Sequence, residues 1–439
     1  MPQGFGTLSQ LNATGGIEKY LIDSPSLTFW RFQHLKYTNF AVDNVATPLT
    51  MTGSNKGFVD IERQGDLISN LYLQMDTAGL IALNNDSPAT VDDSKNPYYK
   101  DSIGQMIIKQ CILQIGGQCV QDVSGAYMFA WEELSGKEGK LLQEMTGKYG
   151  NATNLQAHSK TSRRHYVPIP FWFTQTSGSA LPLISLQFHR LKVMFTFETD
   201  INKLIHKDGA PNVGIRTGHG PGNANWTATS GGQILVATHE AKNPSWSNLF
   251  NMQLLISYVY LSQEERQRFA DGSFEYLITQ VQEQIMNEGN NETLNFNHSV
   301  SELIWAIENP KGDNDNDFAE PFGGCQIDDM EYDTVENISL KFNNHDRVDP
   351  NQPGAYYRLV QPYQHHSRTP KQKIYCFNFG LHPEEAQPSG AVNMSRIDKI
   401  TFNATKSKGV HPDGIFHMWA RNYNVLKIEN GLGGQMYAS

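Results

Sequence analysis

Alternation at period two, broken by turn-forming residues, constrains this chain more than any other feature. Leu191, Val193, Phe195 and Phe197 alternate with Lys192, Met194, Thr196 and Glu198. Such a pattern, rich in aromatic and branched residues, marks a strand with one buried face. Just before it, Ile184, Leu186 and Phe188 fall on one face and Ser185 and Gln187 on the other. That spacing predicts another strand over Leu183–Phe188. Thr176 to Ser179 and then Pro182 separate it from the apolar run Tyr166–Phe173. Pro168 and Pro170 can donate no ladder bond, so this run belongs at a sheet edge or a strand end.

The same grammar can be followed along the whole chain. Residues 1–26 are rich in Gly, Ser and Asn and read as an arm outside the core. Strands are expected over Leu27–Phe32, Tyr37–Val45, Phe58–Ile61, Leu67–Met75, Met106–Ile115 and Met252–Leu261, with turns at Arg63–Asp66 and Gly116–Gly117. Residues 77–98 and 198–250 read as loops by composition. In Val123–Leu134, Tyr127, Trp131 and Leu134 recur at spacings of three and four, which predicts a short amphipathic helix in a connection. Ser262 is placed to cap a charged helix over Gln263–Phe269 that ends at Asp271–Gly272.

That helix marks a boundary, because the grammar then starts again. Strands are expected over Tyr276–Gln282, Thr293–Asn297, Leu303–Ile307, Ile338–Phe342, Tyr356–Val360, Lys373–Phe379, Ile397–Phe402 and Ile415–Ala420, the last extending to Val425. With long polar loops and few helices, each half reads as an eight-stranded antiparallel sandwich, and the chain as all-β. The limits are an arm at 1–26, a first sandwich at 27–262, a linker at 263–275 and a second sandwich at 276–439. A chain of 439 residues is long enough for more than one core.

Charge and composition exclude several classes. The 45 acidic residues outnumber the 35 basic ones, giving a net charge of -10. This argues against a protein that coats nucleic acid through Lys and Arg. Cys111, Cys119, Cys325 and Cys376 form no C-x-x-C pair, so no zinc ribbon or disulfide scaffold is implied. Cys111 and Cys376 lie in apolar runs and read as small core side chains. The first residues lack the basic-then-apolar order of a signal peptide, and no apolar run approaches the ~20 residues of a membrane span.

No motif assembles an active site. Asp313, Asp315 and Asp317 alternate as the ligands of a calcium loop do, but Phe318 stands where that loop needs Gly, and a solvated acidic loop is the reading. His365–His366 is the sole adjacent pair among 14 histidines and no H-x-H occurs, so these are expected as surface loop histidines. Glu264–Glu265 and Glu384–Glu385 carry no geometry of paired acids. Acceptors of the form N-x-S/T at Asn12, Asn151, Asn225, Asn291, Asn297, Asn337, Asn393 and Asn403 read as chance matches. Gly431-Leu432-Gly433-Gly434 is followed by no helix and reads as a flexible terminus rather than a phosphate turn. No catalytic, cofactor-binding or metal residue is assigned, and no cofactor is implied.

Taken together, several segments closely resemble the major capsid proteins of the nucleocytoplasmic large DNA viruses, especially those of algal viruses. They are Tyr37 to Ala41, Arg63 to Ile68, Ile115 to Gln118, Tyr166 to Pro168, Ala180 to Ile184 and Leu186 to His189. Gln263 to Arg266, Arg268 to Ala270 and Glu275 to Ile278 follow at the boundary. Asp346–Arg347, Val360 to Gln364, Gln387 to Gly390, Ser395 to Asp398, Asn422 to Leu426 and Gly431 to Gly434 complete the series. The long region from Asp200 to Asn251 and the turn Asn343-Asn344-His345 depart from the family pattern.

The resemblance implies a double jelly roll, two consecutive eight-stranded antiparallel jelly rolls with short helices in loops. It further implies a structural protein of the virion, neither enzyme nor genome binder, that forms a homotrimer. Six jelly rolls would then make a pseudo-hexagonal capsomer, and capsomers would tile an icosahedral shell assembled in the host cytoplasm. Minor capsid proteins would be partners, with an inner viral membrane nearby. The alternative reading is a carbohydrate-binding or carbohydrate-active double jelly roll, for which Trp226 and Trp246 would be the aromatic platforms.

Overall fold

The computed structural model describes residues 13–26, 28–30, 34, 36–53, 55–83, 94–136, 142–208, 210, 212–216, 234–235, 249–286, 292–308, 321–323, 325–327, 330–349, 352–407 and 414–437. Two units separate, Met1–Asn39 and Phe40–Ser439. The smaller holds a short helix, Glu18–Ile22, in which no residue is buried. Residues 28–30 and 36–39 carry no strand, and among the described residues the first strand starts at Phe40; Leu27, Arg31 and Phe32 of the strand expected over Leu27–Phe32 lie outside them.

Eight principal strands build the first half of the larger unit: β1 (Phe40–Pro48), β2 (Lys56–Ile61), β3 (Leu67–Thr77), β4 (Ile108–Ile115), β5 (Gln118–Val123), β6 (Arg163–Pro168), β7 (Leu191–Phe197) and β8 (Phe250–Leu261). One sheet runs β1-β8-β3, with β6 and the short strand Leu181–Pro182 both on the far side of β3. The facing sheet runs β2-β7-β4-β5, and Thr50–Met51 extends it beyond β2. The alternation read in Leu191–Phe197 is realised residue by residue, with Leu191, Val193, Phe195 and Phe197 buried between the sheets.

The second half repeats this plan. Its strands are β9 (Phe274–Met286), β10 (Glu292–Thr293), β11 (Ser299–Glu308), β12 (Val335–Phe342), β13 (Ile374–Asn378), β14 (Ile400–Lys406), β15 (Ile415–Glu429) and β16 (Leu432–Gln435). One sheet runs β9-β15-β11-β13, with Val392–Asn393 on β11 just as Leu181–Pro182 sits on β3. The other runs β10-β14-β12 and is extended by His345–Asp346 and Gln352–Pro353. Each half is thus two antiparallel sheets packed face to face, held by inward side chains. Helices α1 (Gly125–Ser135), α2 (Gln263–Asp271) and α3 (Gln361–His365) lie in the connections.

Several expectations are corrected. Leu183–Phe188 is a turn, not a strand, because its carbonyls are captured: the Arg63 guanidinium donates to Leu186 O at 2.5 Å and Gln187 O at 2.6 Å. Leu186 is buried there while Phe188 is exposed, so the apparent alternation does not describe one face. Tyr356–Val360 is a π-helical turn rather than a strand, with Tyr357 packed edge-on to Trp305 at 5.3 Å. Packing against a large buried ring overrides the strand propensity of its aromatic and branched residues. Within 77–98, Leu80–Leu83 is a strand whose Leu80 and Ala82 are buried. Within 198–250, Asn212–Arg216 and Ile234–Leu235 are strands, and only Glu292–Thr293 of the stretch before Asn297 pairs. Ser262 precedes α2 but its hydroxyl bonds no helix amide.

Candidate assembly scaffold

The two halves meet through α1. Its first turn is closed by Ser124, whose hydroxyl accepts from Tyr127 N at 3.2 Å. The sequence spacing of Tyr127, Trp131 and Leu134 does give a helix in a connection, and most of its residues are buried. From it Tyr127 reaches Trp419 of β15 at 6.1 Å, and Phe129 reaches Phe322 at 5.4 Å. Trp131 lies under the Arg421 guanidinium, 4.1 Å from its ring centre, and edge-on to His366 at 6.3 Å. The helix also delivers Glu133, fully buried, between Lys148 of its own half and Arg368 and the Lys371 amide of the other. Burial disfavours its charge, yet Lys148, the Lys371 amide and Arg368 outweigh that and hold the carboxyl below its usual range.

Behind Trp131 sits a buried ionic cluster. Arg421 Nη1 donates to Glu302 Oε1 at 3.3 Å and also to the Pro383 carbonyl. His366 lies with Nδ1 3.0 Å from Glu384 and Nε2 3.1 Å from Glu302, the latter an ion contact without hydrogen-bond alignment. Its imidazole is wholly buried, which corrects the reading of His365–His366 as surface residues. Burial alone would keep it neutral, but Cys376 and the two carboxylates raise it well above the ordinary histidine range. His365 is the more peripheral of the two, its Nδ1 3.0 Å from Leu381 O.

A second charged contact lines a cleft of about 410 Å³ between the halves. Lys100 of the first half meets Glu308 of β11 at 2.9 Å, and His417 bridges Glu308 at 3.3 Å and Glu283 at 2.8 Å. Burial opposes a charge on His417, but Glu283 and Glu308 outweigh it and push the group up to about 9. Along the same seam Gln280 donates to Val120 O at 2.5 Å, Gln175 to Thr279 at 3.2 Å, and Trp172 packs on Tyr276 at 5.6 Å.

The third tie is the chain's last hairpin, expected as a flexible terminus and found as strand β16. It pairs with β15 and leans on the first half. Phe188 N donates to Gly431 O at 3.0 Å, and Gln435 Nε2 donates to Val120 O at 2.9 Å. His189 Nδ1 lies 3.0 Å from Gly433 O and 3.2 Å from Gly433 N, so one tautomer bonds the carbonyl and the other the amide. The glycines are required: Gly431 has φ +78°, and a Cβ on Gly433 would fall 2.6 Å from Leu186. The Gly-Leu-Gly-Gly spacing thus serves close approach between the two halves.

The ties of this arrangement hold two sandwiches together through buried rings, ion pairs and the last hairpin. Cys111 and Cys376 are free and buried, as their apolar runs imply. The Asp313–Asp317 loop, Trp226 and Trp246, and Asn12, Asn225 and Asn291 lie outside the described residues. Among the described residues no three His, Cys, Asp or Glu side chains gather as metal ligands, and no helix is long and apolar enough to cross a membrane. The cross-half ties were invisible to sequence reasoning, except that Tyr127 and Trp131 were singled out by their spacing.

Comparison with known proteins decides what this scaffold belongs to. The family model described as the large eukaryotic DNA virus major capsid protein matches residues 265–434, and that of the major capsid protein N-terminus matches residues 28–262. The chain belongs to the major capsid proteins of large eukaryotic DNA viruses. The major capsid protein of Pyramimonas orientalis virus is 32% identical, over 99% of this chain and 100% of its own length. That of Paramecium bursaria Chlorella virus 1 is 27% identical, again over 99% and 100%. Among solved structures, the quasi-atomic model of the PBCV-1 virus capsid matches with a TM-score of 0.68 at 25% identity, covering 94% of this chain and 100% of that one. The Faustovirus major capsid protein shares the fold, with a TM-score of 0.68 at 14% identity over 92% and 93%. This capsid protein is therefore a double jelly roll and part of a virion shell.

Proposed function

We propose that this capsid protein works by self-association as a homotrimer, in which three copies supply six jelly rolls to a pseudo-hexagonal capsomer. Capsomers then tile an icosahedral shell, assembled in the host cytoplasm with minor capsid proteins and near an inner membrane, without direct contact to the genome. The arm is residues 1–26, the first jelly roll 27–262, the linker 263–275 and the second jelly roll 276–439. No residue serves catalysis, a cofactor or a metal.

The observation that carries this reading is the rigid pairing of two like-built sandwiches. Buried ion clusters, stacked rings and the β16 hairpin leave little freedom at the seam, so one chain contributes two fixed neighbours to a ring. An obligate trimer of this kind buries on the order of thousands of Å², and weaker contacts between trimers let a lattice correct its errors. Light scattering after size exclusion tests it. A trimer is expected over a wide concentration range, and a strict monomer throughout would overturn the reading. Removing residues 1–26 is expected to leave the trimer folded and to impair particle formation.

A further inference from the structure

The connection from β5 to β6 is held down by a carboxyl group that the ties between the halves do not use. Asp101 follows the short strand Tyr98–Tyr99 and is wholly buried. Its Oδ1 accepts from Tyr149 N at 2.6 Å and from Gly150 N at 3.3 Å, while the buried Oδ2 has no hydrogen-bond partner among the described residues. Lys148, on the same loop, is engaged elsewhere: it pairs with Glu133 and lies over the Phe129 ring, 4.1 Å from its centre. An ionised carboxylate sealed from water without a paired cation is costly, and such a group keeps a proton instead. Burial, opposed by the Tyr149 amide, Lys148 and the Gly150 and Ser102 amides, accordingly lifts Asp101 to about 7.

The segment it holds is shaped to move as a piece. Gly147 and Gly150 stand at its ends with φ +82° and +72°, a backbone region that glycine enters without strain. Beyond them lie the helices Leu142–Thr146 and Ala152–Ser159. Tyr149 and Ala152 pack on Tyr98 and Leu155 in a small cluster apart from the main core. Few buried contacts mark a unit that opens locally before the sheets do. The ionisable groups around the loop are Lys148 and Tyr149 on it, Glu133 on α1, Glu144 and His158 on the two helices, and Arg163 and His165 on β6. His158 is stacked on Tyr149 at 3.9 Å, and His165 packs against Gly147.

We infer that Asp101 is a proton-operated latch: carrying its proton it holds residues 147–150 against the first jelly roll, and on ionisation it lets them lift and draw Lys148 off Glu133. Lys148 thereby links the connection to the seam, because Glu133 also takes Arg368 and the Lys371 amide of the second jelly roll. A carboxyl lifted to about 7 in the closed loop, and ordinary at ~3.9 in the open one, favours closure fully below about 4. That preference is lost as pH rises to about 7. His165, held down to about 4, titrates in the opposite sense over much of the same range, so an opening that frees both groups sets one against the other.

Hydrogen exchange of the full-length chain between about pH 4 and about pH 8, each amide rate divided by its intrinsic rate, tests the latch. At Tyr149 and Gly150 the ratio of wild type to Asp101→Asn is expected to rise about tenfold per pH unit from about 4 to about 7 and then level, since every group common to both chains cancels. The Lys371 amide is expected to follow. A ratio that does not change with pH would overturn the latch, and a slope at Tyr149 with none at Lys371 would overturn its link to the seam. In the wild type, Tyr149 and Gly150 are expected to exchange faster than Val193 inside β7, and equal rates would overturn a local opening. His165→Gln gives a second reading that leaves Asp101 in place. With the opposing group removed, exchange at Tyr149 and Gly150 is itself expected to quicken by about tenfold per pH unit over that range, and a flat profile would equally overturn the latch.

Discussion

The two jelly rolls share a bulge at the same place, at Ser69 between β3 and β8 and at Ser301 between β11 and β15, and use it differently. In the first, the position across from the bulge is Ser257, whose hydroxyl donates to Asn44 Oδ1 at 2.6 Å near the surface. In the second it is Arg421, buried, with Glu302, His366 and Glu384 around it and Trp131 of the other jelly roll stacked on top. One backbone device thus carries a light polar contact in one half and the ionic anchor of the seam in the other. Repetition of fold does not mean repetition of load. The second jelly roll is where the chain places the charges that fix its two halves together.

The largest effect should come from removing that anchor. Arg421→Met leaves the buried Glu302, with the partly exposed Glu384 at the edge of the cluster, facing the single cation His366. Breaking one partner out of a buried ion cluster costs roughly 3–5 kcal/mol, and loss of the cation over Trp131 adds to it. Denaturant unfolding should show a drop of that order. Ser257→Ala, at the equivalent place in the first jelly roll, should change stability by about 1 kcal/mol or less. Adding Glu302→Gln to Arg421→Met should recover part of the loss, because the uncompensated carboxylate is then gone.

This difference between the halves was not legible in the sequence, although the strands that carry it were. Leu67–Met75 and Leu191–Phe197 are legible by alternation, since one buried face imposes period two whatever the tertiary partners, and Met252–Leu261 and Ile415–Val425 as long strand-like runs. Leu183–Phe188 shows the same period and is no strand, because Arg63, more than 120 residues away in the chain, takes its carbonyls. The histidine pair His365–His366 read as surface because its counter-charges, Glu302 and Arg421, are remote in sequence. The terminal Gly-Leu-Gly-Gly read as loose for a related reason: its glycines answer to Leu186 and Phe188 of the other jelly roll rather than to a local turn alone. Local pattern reports how much of a segment is buried, while the identity of its cover is a long-range fact.

Two buried histidines set the halves apart by pH. In the first jelly roll, burial and then the nearby Arg163 push His165 down to about 4. In the second, Glu283 and Glu308 overcome burial and lift His417 to about 9. A free imidazole titrates near ~6.5. His165 therefore contributes stability above about 6.5 that is lost as pH falls through about 4. His417 contributes stability below about 6.5 that is lost as pH rises through about 9. Each limb is worth about 3 kcal/mol as an order of magnitude. In melts across this range, His417→Gln should soften the alkaline limb alone, leaving the share that the raised His366 carries, and His165→Gln should soften the acid limb alone. If either variant flattened both, the two jelly rolls would not titrate independently.

The smallest expected effect compares the bulge serines themselves. Ser301 is buried and its hydroxyl sits 3.1 Å from Arg421 O, whereas Ser69 is only partly buried and reaches Ser257 O at 3.5 Å. A hydrogen bond of good length in a dry site contributes about 1 kcal/mol, and a long, partly wetted one falls below that. Ser301→Ala should therefore destabilise by about 1 kcal/mol and Ser69→Ala by a few tenths, read from denaturant midpoints at constant slope. Ser301 also holds the carbonyl of the residue that bears the ionic anchor. Its loss should be non-additive with Arg421→Met, while Ser69→Ala should simply add to it, since residues sharing a partner couple and distant ones do not. Equal costs for the two serines, or additivity at both, would mean that the bulge only shapes the sheet and plays no part in aiming Arg421 at the seam.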